Sequence, residues 1–478
     1  MSDRPPSQLR PARGSRPPAG RGPIDPVRDR VTGLLASMVA SFPDLPLSAS
    51  FDEFEGRDAA FAHAMHDAVL RRWLTLEFLI GLGLDRPFRS LEPGVQGVLL
   101  VGAAQMVLLD KVPPHAAIDQ SVHIAKARVR VGAGGLVNAV LRRVAELCAE
   151  RIPRGDDWRT RLDAVPLPDG RSLLLTRPCL PPDEAKRIAI LTSTPKPLFD
   201  KWVQAFGLDA AAAVALKGIG PAPTIVNTEA ATAALADAVS AGDLTPHRRE
   251  HASVWRGERS ALAPCLDRCG IWVQDPASAE VVRTVAQASG TDAADARLVV
   301  DLCAGQGTKT RQLLRAFPHA TVIACEVDDD RLATLRRVFA NEPRIRVLHA
   351  QHAPRACQDG GVGVADAVLL DVPCSNSGVL SRRVGARYRL DAKALDELVR
   401  LQREILATGR SLLRPGGLLA YSTCSLEHEE NEGQRDHMTR AMGCTLMVDR
   451  RSMPEGSPGD DPAGWNDGSY VAVGRAPV

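Results

Sequence analysis

The chain has 478 residues, of which 45% are apolar and 24% are charged; this length is enough for about two to four globular domains. The 59 basic and 57 acidic residues nearly cancel, which excludes a histone-like polycation and an acidic solvating chain but not local basic patches. No apolar stretch reaches the ~20 residues of a membrane span, and the first 24 residues lack the apolar stretch of about 7–15 residues found in a signal peptide. Ten cysteines are too dilute for a disulfide scaffold. We therefore expect a cytoplasmic protein.

The first half of the chain divides into four regions by composition and periodicity. Residues 1–24, rich in Pro, Arg and Gly, are predicted to be a disordered tail because they cannot bury enough apolar surface. Residues 25–150 show helical spacing without strand-like alternation, which predicts an all-α bundle with helices at 59–79, 93–109, 116–127 and 136–149. A linker is expected at 151–190. A small α+β module at 191–284 follows, with a hairpin ending at 271–273.

Residues 285–478 alternate strand and helix, which predicts an α/β Rossmann-like domain with a parallel sheet between helices. The strands are expected at 297–301, 321–325, 345–348, 367–371 and 418–422, with helices at 308–316, 330–339 and 394–413. Ligands of such sheets bind at the carboxyl ends of the strands. A site is therefore expected at the edge formed by Asp301, Glu326, Gln351, Asp371 and Thr423.

A glycine-containing loop, DLCAGQGTKT at 301–310, joins the first of these strands to its helix. Its small residues allow a ligand to approach the backbone, and the helix N-terminus offers free N–H groups. The loop lacks the upstream glycine of a Walker A motif. Glu326, at the end of the next strand, is placed to accept from both hydroxyls of a ribose. Loop and carboxylate together predict a cofactor that carries a nucleoside.

Two cysteines follow strands of the same predicted sheet, Cys374 within DVPCSNSG at 371–378 and Cys424 within YSTCSL at 421–426. Such thiols could form a disulfide, a metal site or a catalytic pair. A metal site would require further ligands, and neither segment contains CxxC or a histidine at ligand spacing. Another metal-like group does not match a common zinc motif either: His247, His251, Cys265 and Cys269.

These three segments resemble motifs I, IV and VI of the RNA 5-methylcytosine methyltransferases, which use S-adenosylmethionine. QDPAS at 274–278 and LQREIL at 401–406 are further similarities. The helical bundle is similar to the NusB fold at LEP 91–93, GAAQ 102–105, VPPHAA 112–117 and LVNAVLRR 136–143. The combination, which extends over about 25–150 and 195–474, resembles the RsmB/Sun/Fmu group of ribosomal RNA methyltransferases. It implies a NusB-like RNA-binding domain, an α+β module and a Rossmann-like, S-adenosylmethionine-dependent methyltransferase domain.

The resemblance also implies roles for individual residues. Cys424 would be the nucleophile that adds to carbon 6 of cytosine, and Cys374 would help to release the methylated base. Asp371 would contact ring nitrogen 3, and Lys309 would position Asp371 or lower the pKa of the thiol. The cofactor-binding residues implied are Cys303, Ala304, Gly305, Gln306, Gly307, Thr308, Lys309, Glu326, Gln351 and Asp371.

The chain departs from the family pattern at three places. Gln306-Gly307-Thr308 stands where the family usually has Pro-Gly-Gly, but the glycines that shape the backbone remain. Gln351 stands in place of an acid, and its amide oxygen can still accept from an adenine amino group. Ser469 replaces an aromatic residue, which we interpret as a packing difference.

Basic residues after the Cys374 segment are expected to contact RNA phosphates: Arg382, Arg383, Arg387 and Arg389. For Arg142 and Arg143, an RNA-facing role and the ordinary basic last turn of a helix remain equal alternatives. We expect a monomer that acts on small-subunit ribosomal RNA, with no metal and no membrane partner.

Two other functions are alternatives. A DNA cytosine methyltransferase would use Cys374 as its nucleophile, but it would leave Cys424 unexplained, and no target-recognition insert follows Cys374. A non-catalytic NusB-like RNA-binding assembly factor would not need the set of Lys309, Asp371 and both cysteines.

Overall fold

The computed structural model describes residues 23–45, 49–358 and 365–478. The predicted disordered tail at 1–24 thus lies outside the described residues except for its last two positions. Within the described part, no helix is both long and apolar enough to cross a membrane.

Five helices form an N-terminal bundle, as the apolar spacing predicts: α1 Pro26–Ser41, α2 Gly56–Gly81, α3 Pro93–Val107, α4 Pro114–Ile124 and α5 Ala133–Leu147. Helices α1, α3 and α4 begin with proline, which fits the first turn because its missing N–H would have no partner there. Helix α3 is buried along most of its length and contacts the other four helices. It is the central element of the bundle.

The residues expected to form a linker contain folded structure. Strands β1 Cys148–Pro153, β2 Ala164–Pro166 and β3 Arg171–Leu175 form an antiparallel sheet with the order β1-β3-β2. Three helices follow: α6 Glu184–Leu191, α7 Lys196–Phe206 and α8 Leu208–Lys217. Their apolar side chains join the hydrophobic core of the bundle, so the N-terminal core extends well beyond residue 150. Strand β2 has only three residues, and the burial of β1 and β3 does not alternate strictly along the strand, so the alternation that predicts a strand is absent.

The next segment is a small sheet with the order β5-β6-β4-β7. It comprises β4 Ile225–Asn227, α9 Leu235–Ser240, β5 Leu244–Pro246, β6 Ala252–Trp255, α10 Arg259–Cys269 and β7 Trp272–Val273. The prediction of a hairpin that ends at 271–273 is wrong, because β7 follows a helix and pairs with β4. The hairpin of this sheet is formed by β5 and β6.

The C-terminal part is a seven-stranded sheet between helices, which confirms the predicted Rossmann-like class. Its strands are β8 Leu298–Asp301, β9 Thr321–Glu326, β10 Ile345–His349, β11 Ala365–Asp371, β12 Leu413–Thr423, β13 Thr445–Ser452 and β14 Ser469–Arg475. The helices are α11 Pro276–Ser289, α12 Asp292–Asp295, α13 Thr308–Ala316, α14 Asp329–Val338, α15 Ala353–Gln358, α16 Ala386–Arg389, α17 Ala392–Leu412 and α18 Glu432–Arg440. The expected boundary between 284 and 285 falls inside α11.

The strand order is β10-β9-β8-β11-β12-β14-β13. Strands β8 to β12 are parallel, whereas β14 runs antiparallel to both β12 and β13, an antiparallel edge that the sequence analysis did not predict. Alternate strand residues pack on α15, α17 and α18 on one face and on α11, α13 and α14 on the other. The chain order reverses between β8 and β11, and a sheet of this kind opens its ligand crevice at that reversal.

Candidate active site

The loop from β8 to α13 is a tight turn that depends on glycine. Gly305 and Gly307 have φ of 58° and 87°, a left-handed region that favours glycine. A Cβ on Gly307 would lie 2.3 Å from Cε2 of Phe339. The N–H of Gly307 donates to the carbonyl of Ala304 at 2.9 Å, and that of Ala304 donates to Cys325 of β9 at 2.8 Å. The turn therefore survives without the family's Pro-Gly-Gly and leads directly into the N-terminus of α13 at Thr308.

Below this loop lies a buried carboxyl group. Asp301 ends β8, and its Oδ2 accepts from Oγ1 of Thr310 at 2.7 Å. Its Oδ1 has no hydrogen-bond partner among the described residues. Burial raises the pKa of Asp301 to about 7. Burial also raises the pKa of the neighbouring Cys303, so its thiol is a poor nucleophile. Gln306, further along the loop, is exposed.

Glu326 and Gln351 follow neighbouring strands at the same edge. Glu326 is only 5% exposed, and its Oε1 accepts from the N–H groups of Val327 and Asp328 at 2.8 and 3.0 Å. Glu326 pairs in register with His349 at the end of β10, and the exposed Gln351 lies in the turn that follows. The backbone bonds fix one carboxylate oxygen and leave Oε2 for a ligand.

The two candidate cysteines meet at the ends of β11 and β12. Both are free thiols, and their Sγ atoms lie 3.3 Å apart. Sγ of Cys424 also lies 3.4 Å from Oδ1 of Asn376, whose Nδ2 donates to the carbonyl of Cys374 at 2.8 Å. The hydrogen bond with Cys424, burial and the charge of Glu430 raise the pKa of Cys374 well above its usual value. Cys374 is thus the thiol that keeps its proton.

An ion pair lies beside this thiol pair. Nζ of Lys309 donates to Oδ2 of Asp371 at 2.7 Å, and Oγ of Ser422 donates to Oδ1 at 2.8 Å. Burial alone would lower the pKa of Lys309, but the negative charges of Asp371 and Cys424 reverse this and raise it. Lys309 therefore remains a cation beside Asp371 and the thiols.

Residues that the sequence analysis gave no role hold the two cysteine loops together. The N–H of Gly378 donates to the carbonyl of Cys424 at 2.9 Å, and that of Gly468 donates to Gly378 at 2.9 Å. Glu430 is completely buried and bonds to residues of both loops. An acid immediately after a strand-end segment is a weak sequence signal for such a role, because most acids in this position are exposed.

The predicted RNA-contacting arginines have different environments. Arg387 is 1% exposed and donates to the carbonyls of Val384, Thr192 and Gly218. The prediction of a phosphate contact for Arg387 is wrong, because the guanidinium serves as an internal hydrogen-bond donor. Arg382 is paired with Asp467 and Asp275 at 2.5 and 3.1 Å. Arg383 is exposed and Arg389 half-buried.

The metal-like group from the sequence analysis has other contacts. Nε2 of His247 lies 2.7 Å from the carbonyl of Trp465, and the thiols of Cys265 and Cys269 lie 3.8 Å apart on α10. Among residues 23–45, 49–358 and 365–478, no group of three or more His, Cys, Asp or Glu side chains could hold a metal ion.

Known proteins resemble both parts of the chain. Residues 291–451 match the family model of the 16S rRNA methyltransferases RsmB/F, and residues 37–146 match the NusB family. The putative methyltransferase Rv1407 of Mycobacterium tuberculosis is 30% identical over 430 residues, which cover 86% of each chain. The chain belongs to the RsmB/F methyltransferase family. The ribosomal RNA small subunit methyltransferase B of Xanthomonas campestris pv. campestris is 29% identical over 411 residues, 85% of this chain and 84% of the relative.

Structure comparison agrees with the fold. The crystal structure of PH0851 superposes with a TM-score of 0.63 at 18% identity and covers 94% of this chain and 98% of its own. Family membership confirms the predicted resemblance and makes the chain an S-adenosylmethionine-dependent RNA methyltransferase of the ribosomal RNA type with a NusB-like N-terminal region. The crevice of this RsmB/F methyltransferase fits that cofactor. Among the described residues, Oε2 of Glu326 makes no hydrogen bond, and the space beside Gly305 is open, since a Cβ there would meet no atom within 4 Å.

Proposed function

We propose that this methyltransferase transfers a methyl group to carbon 5 of a cytosine in small-subunit ribosomal RNA through a covalent adduct on Cys424. The single observation that carries the proposal is the pair of free thiols 3.3 Å apart beside the ion pair of Lys309 and Asp371. One cysteine can then add to the base while the other retains a proton.

The proposed cofactor site lies at the ends of β8, β9 and β10. Glu326 would accept from the ribose hydroxyls, the amide of Gln351 would face the adenine amino group, and the 303–309 loop would hold the remainder with its backbone N–H groups. Asp371 lies at the boundary between this site and the thiols. Bound S-adenosylmethionine supplies the methyl group.

The proposed chemistry begins at Cys424. Carbon 5 of cytosine is a weak nucleophile, and addition of the Cys424 thiolate to carbon 6 turns the ring into an enamine. Lys309 stabilises the thiolate before addition, and Asp371 relays a proton from solvent to ring nitrogen 3 as negative charge develops there. After methylation, water accepts the proton of carbon 5 and the double bond between carbons 5 and 6 re-forms. The bond between carbon 6 and sulfur then breaks, which returns its electron pair to Cys424, and nitrogen 3 returns its proton through Asp371. Cys374, which remains protonated, assists this release.

The proposed substrate is supported by the family and by the charge near the site. The Xanthomonas campestris relative, which is named a ribosomal RNA small subunit methyltransferase, and the NusB-like region favour ribosomal RNA. The exposed Arg383 and the half-buried Arg389 remain candidates for phosphate contacts. The target cytosine must flip out of any base stack to reach the half-buried thiols. The monomeric state and the cytoplasmic location stay predictions.

The test separates the two cysteines. Cys424→Ala is expected to abolish both methyl transfer and adduct formation, whereas Cys374→Ala should methylate and then accumulate a protein–RNA adduct on ordinary RNA. A denaturing gel with substrate RNA and cofactor measures both outcomes, and RNA containing 5-fluorocytosine provides a positive control for trapping. An adduct with Cys424→Ala but not with Cys374→Ala would reverse the assignment and favour the DNA-type mechanism.

A further inference from the structure

Glu430 is a buried carboxylate that none of the proposed chemical steps uses. Its Oε1 accepts from the backbone N–H of Ser375 and from Nε2 of Gln402, both at 2.9 Å. Its Oε2 accepts from Oγ of Ser425 at 2.5 Å. Ser375 directly follows Cys374, and Ser425 directly follows Cys424. One carboxylate thus bonds to the residue next to each cysteine.

The surroundings of Glu430 make this link rigid. Glu430, Gln402 and Ser425 are all 0% exposed, and a buried charged group is tolerated only while its hydrogen bonds are satisfied. Gln402, on the long helix α17, also donates to the carbonyl of Pro373 at 3.0 Å. Movement of either cysteine loop would leave the carboxylate short of a donor. The bonds therefore oppose any change in the distance between the loops.

We propose that Glu430 is a positioning residue that sets the separation of the two catalytic sulfurs by anchoring both cysteine loops to α17. The inference rests on the proposed function of the two cysteines. It goes beyond that function, because it assigns the geometry of the thiol pair to a residue that touches neither substrate nor cofactor.

The charge of Glu430 also acts on one thiol. The titratable groups that interact with the Cys374 thiol are Cys424, Glu430 and Tyr421. A nearby negative charge disfavours the thiolate, so Glu430 contributes to the raised pKa of Cys374. Replacing the carboxylate by an amide of the same shape should therefore lower the pKa of Cys374. If Glu430 only filled space, the same replacement would leave this pKa unchanged.

The experiment uses the full chain and the variant Glu430→Gln. The matched control is Glu429→Gln, the adjacent acid, which is 44% exposed and pairs with Lys201. In a Cys424→Ala background, the pH dependence of Cys374 alkylation by iodoacetamide is followed by mass spectrometry without RNA. We expect the midpoint to fall to lower pH with Glu430→Gln and to stay unchanged with Glu429→Gln.

A second measurement uses chains with both cysteines. Glu430→Gln should slow adduct release at least tenfold on ordinary RNA, while calorimetry gives a cofactor affinity within twofold of the unsubstituted chain. An unchanged alkylation midpoint together with unchanged release would overturn the inference. Methylation by Cys424→Ala would mean that the proposed covalent mechanism is wrong. The alkylation measurement needs no RNA and does not depend on that mechanism, so the two failures are distinguishable.

A further variant covers the case in which Glu430→Gln does not bind cofactor. Ser425→Ala removes one of the three hydrogen bonds to the carboxylate but keeps its charge. It should slow adduct release about threefold or more and leave the alkylation midpoint of Cys374 where it was. Release at the unsubstituted rate from a folded Ser425→Ala chain would contradict the inference.

Discussion

The cofactor side of the crevice is built within one sheet, whereas the cysteine side is also held by helices from the N-terminal half. On the cofactor side, Glu326 accepts from Val327 and Asp328 in the turn after β9, and the loop that contains Gly305 and Gly307 bonds to Cys325 of β9 through the N–H of Ala304. On the cysteine side, the segment after each thiol leaves the sheet and enters the helical core, which contains Leu380, Tyr388 and Leu426.

The segment after Cys424 docks on α7. Glu427 is 1% exposed, and it accepts from Nε1 of Trp202 at 3.0 Å and from Nζ of Lys201 at 2.8 Å. A buried carboxylate with two such donors fixes the segment firmly. The position of Cys424 therefore depends on a helix that lies far before it in the sequence.

The segment after Cys374 docks on the same core. Arg387 donates to the carbonyls of Thr192 and Gly218 at 2.9 and 2.6 Å. The hydroxyl of Tyr388 donates to Leu70 of α2 at 2.7 Å. The N-terminal half therefore contains the NusB-like region and also shapes the cysteine side of the crevice. Substitutions on the cysteine side should reduce methyl transfer without weakening cofactor binding, and substitutions on the cofactor side should weaken cofactor binding without changing the reactivity of the thiols.

Gly378→Ala is expected to give the largest difference between its effect on methyl transfer and its effect on cofactor binding. Its Cβ would lie 2.6 Å from the carbonyl oxygen of Cys424 and 3.0 Å from Cα of Gly468, so the two cysteine loops must move apart. Methyl transfer should fall at least about 100-fold, as a misplacement of 1 Å can cost, while cofactor affinity measured by calorimetry stays within twofold.

The control for this prediction is Gly385→Ala in the same segment. The nearest atom to its Cβ is 3.6 Å away, an ordinary contact, so activity should remain close to that of the unsubstituted chain. A Gly378→Ala variant with full activity would mean that the contact between the cysteine loops does not control the thiols.

The second substitution affects the opposite side. Glu326→Ala removes the carboxylate proposed to bind the ribose and should weaken cofactor binding by about 1–3 kcal/mol. Iodoacetamide alkylation of Cys374 and Cys424 in the absence of cofactor should not change, because neither thiol contacts Glu326. Asp329→Asn, an exposed position three residues further on, serves as the control in the same calorimetric titration. Unchanged affinity of Glu326→Ala would place the ribose elsewhere.

The smallest effect is expected from Trp202→Phe, which removes the indole donor to Glu427 and keeps an aromatic ring. Loss of one bond to a buried carboxylate should cost about 1–2 kcal/mol of stability, seen as a lower Tm in calorimetry, and reduce methyl transfer several-fold. Cofactor affinity should be retained. Lys196→Ala, on the same helix at a position that pairs with Asp200, should alter neither Tm nor activity appreciably. A loss of cofactor binding in Trp202→Phe would contradict the separation of the two sides.

Much of the C-terminal fold and of the cofactor side was accessible from sequence. Strand, glycine loop and helix follow one another directly around Gly307, and the ends of consecutive parallel strands meet at one edge of a sheet. This places Glu326 and Gln351 near the loop without knowledge of distant contacts. Strands β13 and β14 were not predicted. Strand β13 is largely uncovered and shows little of the apolar pattern on which strand prediction depends. Strand β14 is buried, and a short continuous apolar run does not by itself distinguish a strand from a buried helix.

The sequence by itself thus determined the class of the sheet, the place of the glycine loop between its first strand and helix, and the position of the two cysteines after strands of that sheet. Only the tertiary structure decided that these cysteines, 50 residues apart, lie within hydrogen-bond distance, that Glu430 links their loops, and that Arg387 is an internal donor rather than an RNA contact. Hydrophobic periodicity and strand–loop–helix order are local properties and can be read along the chain. Burial and hydrogen-bond partners of a polar side chain depend on which distant elements pack against it, and no local pattern specifies that packing.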